Sequence, residues 1–250
     1  MSLWQWVLVF FAGIAAGGIN TVVGSGTLIT FPTLVALGIP PVTANVSNAV
    51  GLFPGSLAGA WGYREELRGW RGRTIRLASG SILGAVGGAT LLLVLPTSAF
   101  QTIAPVLITI SLLLVLFGKQ LNTWLAHRGH TPSKAVTPAL WTATLLIGVY
   151  GGYFGAAQGV LMMGTFGLLM SGSVQHHNAM KNLLSGVSKL VATIVFIATA
   201  HIDWPVAGTI ALGSIIGGLL GARIGRRLSP SVLRGIIVIV GLVAVVKLLA

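Results

Sequence analysis

The sequence predicts an all-α polytopic membrane protein made of two inverted-topology repeats, each a broken helical hairpin followed by three transmembrane helices. Three observations carry this expectation. Of 250 residues, 54% are hydrophobic and only 7% charged, against about 25% charged in soluble domains, so ionised groups could not cover a globule's exterior. Apolar runs of membrane-crossing length recur along the whole chain. A gapless shift of 134 residues also lays one half on the other.

Crossing about 30 Å of hydrocarbon at 1.5 Å per residue takes about 20 residues. Runs of that kind lie near 3–23, 43–62, 75–95, 99–118, 136–157, 178–200, 205–222 and 231–249. The first has no basic region before it (Met1 to Trp6), which predicts a membrane segment rather than a removable signal. Two shorter runs, 27–37 and 160–171, each follow a glycine-rich break, Gly24-Ser25-Gly26 and Gly155 to Gly159, and read as half-helices. The first unit, 1–118, therefore comprises a hairpin over 3–37 and spans 43–62, 75–95 and 99–118. Residues 119–135 form a linker, and the second unit, 136–250, comprises a hairpin over 136–172 and spans 178–200, 205–222 and 231–249. The 35 glycines suit helices that pack closely or are interrupted.

The 134-residue shift pairs Gly17 with Gly151, Gly18 with Gly152, Gly38 with Gly172, Asn48 with Asn182, Trp70 with Trp204, Gly84 with Gly218, Gly87 with Gly221 and Pro96 with Pro230. Asn, Trp and Pro pairs are not explained by a chain merely rich in Gly and Leu. Loop charge then orients the copies. Arg64, Arg68, Arg71, Arg73 and Arg76 fill one loop, whereas its mate around His201 and Asp203 has neither Lys nor Arg. Conversely, Arg223, Arg226, Arg227 and Arg234 surround a loop whose mate around Pro96 is uncharged. The positive-inside rule makes both Arg-rich loops and the linker bearing Lys119, Arg128 and Lys134 cytoplasmic. Alternation from these anchors works if each hairpin enters and leaves on one side, which inverts the units and puts both termini outside.

Composition removes several chemistries. There is no cysteine, so disulfides and thiolate sites are excluded. The net charge of +12 is assigned to insertion topology rather than to nucleic acid, because the longest loop, 119–135, is too short for a binding module. Glu65, Glu66 and Asp203 are the only acids and all lie at span boundaries, which argues against a cation carrier with a carboxylate site and leaves carbonyl-only cation sites open. His176 and His177 lack acidic partners at ligand spacing, and Ser25 lacks a base, so neither a metal nor a catalytic centre is expected. Most of the seven tryptophans sit near span ends as interfacial anchors.

What remains is positive potential inside the membrane. Lys181 and Lys189 lie in the 178–200 run, where a lysine at mid-span costs roughly 2.5–3.5 kcal/mol. Snorkelling to headgroups is one way out. The other is a site: Asn178, Lys181, Asn182 and Ser185 share a helix start, where the dipole adds about half a positive charge. The first break offers the same without a formal charge, through backbone N–H groups from Gly24 to Thr27, the Ser25 and Thr27 hydroxyls, and Asn45 and Asn48 on the next helix. A plain helix break with a serine cap is the simpler reading of that segment. Gly155, Gln158 and Gly159 break the second copy at the matching place.

These residues resemble a known family. GINTVVGSGTLITFP (Gly18 to Pro32) and LGIPPVTANVSNAVGL (Leu37 to Leu52) are similar to the first signature of the TauE/SafE sulfite exporters. GVYGGYFGAAQG (Gly148 to Gly159), HNAMKNLLSG (His177 to Gly186) and Asp203-Trp204 resemble the second. The resemblance spans nearly the whole chain and implies a bacterial inner-membrane permease for sulfur oxyanions or organosulfonates, usually exporting sulfite or sulfoacetate, with some members proposed for uptake. Ser25 stands where many relatives have a third glycine, and Gln158 replaces a small residue.

The expectation is a secondary transporter, not an enzyme, that moves a small anion by alternating access, with backbone N–H groups at both breaks, Asn45, Asn48, Asn178 and Asn182 as donors, and Lys181 as counter-charge. No cofactor is called for; the partners are the anion and the lipid bilayer, and oligomeric state is not encoded legibly. Competing readings are an anion channel and a structural or assembly membrane protein.

Overall fold

A computed structural model describes residues 1–126 and 136–224, with side chains over 1–117 and 136–223. The predicted span 231–249 and the basic residues Arg128, Lys134, Arg226, Arg227 and Arg234 lie outside the described residues. The chain is helical: α1 Leu3–Val22, α2 Thr27–Ala36, α3 Pro41–Gly62, a 3-10 turn Arg64–Leu67, α4 Arg71–Val94, α5 Thr97–Ala126, α6 Pro138–Tyr153, α7 Gln158–Leu169, α8 Val174–Thr199 and α9 Trp204–Ile224. Helix starts follow local chemistry. Thr137 Oγ1 accepts from Leu140 N–H at 3.2 Å ahead of α6, Ser173 Oγ accepts from His176 N–H at 3.2 Å ahead of α8, and Asp203 Oδ1 accepts from Val206 N–H at 3.2 Å in α9.

Among the described residues, five helices are long and apolar enough to cross a membrane: α1, α4, α5, α8 and α9. The chain is a multi-pass membrane protein. α2 and α7 are the two short apolar helices that the glycine breaks predict. Two boundaries differ from expectation. α6 stops at Tyr153 rather than near 157, because Gly155 (φ 73°) and Ala157 (φ 55°) are left-handed. α5 runs on to Ala126, since no glycine or proline interrupts it between Lys119 and Ala126.

Backbone contacts fix the relative directions. Gly213 faces Phe10, Gly217 faces Ile14 and Gly221 faces Gly18, so α1 and α9 run parallel. Gly80 faces Trp141, Gly84 faces Leu145 and Gly88 faces Val149, so α4 and α6 are parallel as well. A Cβ at Gly217 or Gly84 would overlap the facing backbone, which is why these seams are glycine-lined. α3 also runs parallel to α9, with Gly55 on Ser214 and Gly62 on Ala222. α3 and α8 run antiparallel: Ser47 lies beside Asp203, Ser56 beside Gly186 and Tyr63 beside Ala179.

Two apolar clusters bracket the breaks. One is built on Phe31, Phe100 and Phe154, whose rings meet edge-on with centroids 5.2 to 6.2 Å apart. The other gathers Leu77, Leu140, Met162, Phe166, Met180 and Leu184. Leu83, Val94, Leu146, Ile194 and Leu212 are exposed, as befits side chains solvated by lipid tails.

Candidate functional site

Both breaks arise because a glycine takes a left-handed turn where the helix would otherwise continue. At the first, Gly24 has φ 87°, and the N–H groups of Val23 and Gly24 both donate to Ile19 C=O, at 2.7 and 3.1 Å. At the second, Phe154 and Gly155 N–H donate to Tyr150 C=O at 2.9 and 3.0 Å. The two breaks touch each other: Gly159 N–H donates to Gly24 C=O at 3.0 Å. The pairing brings together backbones 135 positions apart in sequence, and a Cβ on either glycine would collide with the other.

Interrupting α1 and α6 leaves carbonyl groups at their ends without helical partners. Side chains from the other half of the chain supply the donors. Lys181 Nζ donates to Thr21 C=O at 2.9 Å and to Asn20 C=O at 3.3 Å, and Asn182 Nδ2 donates to Thr21 C=O at 3.1 Å. Reciprocally, Asn45 Nδ2 on α3 donates to Tyr153 C=O, the end of α6, at 2.9 Å. Lys181 is fully buried, so the negative end of the α1 dipole and these two carbonyls are its observed compensation, with no carboxylate among them. Lys189 is also buried, with Nζ 3.5 Å from where a Cβ on Gly155 would stand.

The sequence-predicted residues divide by their partners. Asn48 ties α3 to α2, accepting from Thr30 Oγ1 and donating to Thr27 Oγ1 at 3.4 Å. The N–H groups of Gly24, Gly155, Gln158 and Gly159, expected as anion donors, are engaged by Ile19, Tyr150, Gly155 and Gly24 carbonyls. Gly26 packs on Ala16 and Asn20. Ser185 Oγ meets Met162 Sδ at 3.5 Å. Ser25 Oγ, both amide atoms of Gln158, Asn178 Oδ1 and Asn182 Oδ1 are buried without a hydrogen-bond partner. Unpaired polar atoms in a dry interior are costly, each by about 1–3 kcal/mol. Ser25 and Gln158 belong to the breaks themselves, and Asn182 reaches the first break through Nδ2.

Sequence reasoning missed several participants. Asn20 and Thr21 supply the carbonyls that hold Lys181, and Asn20 Nδ2 donates to Ser56 Oγ at 2.9 Å. Ala156 C=O accepts from Tyr150 Oη at 2.5 Å and Ser111 Oγ at 3.1 Å, which pins the second break to α5. Asp203, read as a span-boundary acid, is tied to α3: its backbone N–H donates to Ser47 Oγ at 2.9 Å. An asparagine at 20 inside an apolar run was the one available signal. Among the described residues no group of three His, Cys, Asp or Glu side chains could hold a metal ion.

The chain is similar to known membrane transporter proteins. The family model described as sulfite exporter TauE/SafE matches residues 9–248. Probable membrane transporter protein ORF9 of Sinorhizobium sp is 31% identical over 96% of this chain and 91% of its own length. Probable membrane transporter protein YfcA of Escherichia coli strain K12 is 26% identical over 97% of this chain and 88% of its own. Probable membrane transporter protein YunE of Bacillus subtilis is 23% identical over 95% and 96%. No solved structure matches.

Proposed function

The chain belongs to the sulfite exporter TauE/SafE family, and from that premise we propose that it exports a small sulfur-containing oxyanion, sulfite or an organosulfonate such as sulfoacetate, by alternating access. The observation that carries the reading is Lys181. It is a fully buried cation held by backbone carbonyls of a broken helix, with no acid in reach, at the junction of the two breaks. An anion is the ligand such a centre favours. In the closed arrangement Lys181 caps α1 and Gly159 donates to Gly24. Separating the breaks would release those donors, with the Ser25 hydroxyl and the Gln158, Asn178 and Asn182 amides, to a substrate at mid-membrane.

The two units are taken as an inverted repeat. Supporting this, α1 pairs with α9 as α6 pairs with α4, each in parallel, while the mates α3 and α8 run antiparallel across the centre. The Arg-rich end, with Arg64, Arg73 and Arg223, is placed in the cytoplasm of a bacterial inner membrane, and the termini outside.

A thermal-shift panel on purified protein tests the ligand class, because a ligand bound only to the folded state raises apparent stability. Sulfite or sulfoacetate should raise the melting temperature saturably, with taurine and simple carboxylates weaker. A panel in which no sulfur oxyanion shifts it would reject the substrate assignment.

A further inference from the structure

Away from the breaks, at the Arg-rich end, a cavity of about 590 Å³ lies between Gly69, Trp70, Gly72 and Arg73 on one side and Ser171 and Gly172 on the other. Its size falls within the range of small-ligand sites. Its walls are prepared. The Arg73 guanidinium lies 4.1 Å over the Trp70 ring, Trp70 stacks on His176 at 4.8 Å, and Ser173 Oγ hydrogen-bonds His176 Nδ1 at 2.6 Å. One Arg73 nitrogen, Nη1, is tethered to Ser171 C=O at 3.3 Å, which orients the guanidinium fork on the cavity wall.

The second, independent feature is His177. The residue is 6% exposed, and its Nε2 is buried with no hydrogen-bond partner. That atom faces Gly172: a Cβ there would stand 3.2 Å from His177 Nε2 and 2.7 Å from Trp70 Cη2. Glycine at 172 keeps open the gap between the cavity and an unsatisfied ring nitrogen. Arg73 and Trp70 line the cavity, and the orphan imidazole nitrogen of His177 lies directly behind Gly172, which lines it too; Arg68, Arg71 and Arg76, close in sequence, add positive field at this end.

We propose that Trp70, Arg73, Gly172 and His177 form a second oxyanion site, which receives the substrate at the Arg-rich mouth before it reaches the breaks. Arg73 pairs with two oxygens of a sulfonate or sulfite group. His177 Nε2 donates to a third oxygen when the ring is protonated, or accepts from the hydroxyl of a protonated anion. The role as an antechamber rests on the transport reading above; the binding itself does not.

The test separates the two. Equilibrium binding of radiolabelled sulfite to purified full-length protein is measured in a Lys181→Gln background, which disables the central site. Saturable binding should persist there and weaken by about tenfold or more on adding Arg73→Gln, while Arg73→Lys weakens it less. In the wild-type background, sulfite should also change tryptophan fluorescence, and that change should vanish in Trp70→Phe. His177→Phe, which keeps a ring and removes the nitrogen, should weaken binding as well. An Arg73→Gln protein that elutes as the folded species and binds sulfite like its parent would overturn the site, as would a Lys181→Gln protein with no saturable binding. Loss of anion exchange in the wild type, with this binding intact, would instead count against transport alone.

Discussion

Lys181 concentrates the physical problem at the scale of the residue. Its ammonium is taken fully out of water and compensated by two carbonyls and a helix dipole. Replacing it by methionine, similar in length and neutral, removes the donor to Asn20 and one of two donors to Thr21. The expected cost is about 1–3 kcal/mol of stability, read as a lower melting temperature, together with loss of sulfite exchange; a variant with normal exchange would show that the charge does not serve the substrate. Asn48→Ala should lower stability by a similar ~1–3 kcal/mol, because it leaves the Thr27 hydroxyl unpaired in the interior and Thr30 with only its 3.4 Å bond to Gly26 C=O, and thermal unfolding measures it. The sequence made Lys181, Asn178 and Asn182 legible as polar residues on one buried helix start. It could not show that Lys181 and Asn182 reach Thr21, 160 positions and more away, since that contact depends on how α8 packs against α1. The same blindness hid Asn45 as the cap of α6.

Helices and breaks were the most legible scale. Apolar run length and the glycine-rich interruptions located α1 to α9, because both signals are local. Boundaries set by contact were not: α6 ends early where Gly155 and Ala157 turn left-handed, and apolar length alone does not report that turn. The seams carry the sharpest structural prediction. Gly17→Leu would drive a side chain into the Ser214 backbone and force α1 from α9. Overpacking of this kind costs about 1–3 kcal/mol or more, so folded yield by size-exclusion chromatography should fall steeply. Gly87→Leu, where no atom stands within 4 Å, should leave it unchanged. Gly24→Ala should fail likewise, because φ is 87° and Gly159 occupies the space.

For the whole molecule, the claim is a closed centre that must open alternately to the two sides. The absence of cysteine makes this accessible to cross-linking. Ser47 and Asp203 adjoin, at the end opposite the Arg-rich loops, through a 2.9 Å hydrogen bond between α3 and the start of α9. A short bis-maleimide bridge between cysteines at these positions should abolish exchange while the unbridged double variant remains active. The paired helix directions that support an inverted repeat became visible only from contacts, whereas the loop charges had already suggested the orientation. The most direct measurement is counterflow: proteoliposomes loaded with unlabelled sulfite and diluted into trace radiolabelled sulfite. Saturable, transient accumulation of label inside, lost in Lys181→Met, is the predicted result. Label that never exceeds simple equilibration, with or without Lys181, would contradict an alternating-access anion carrier.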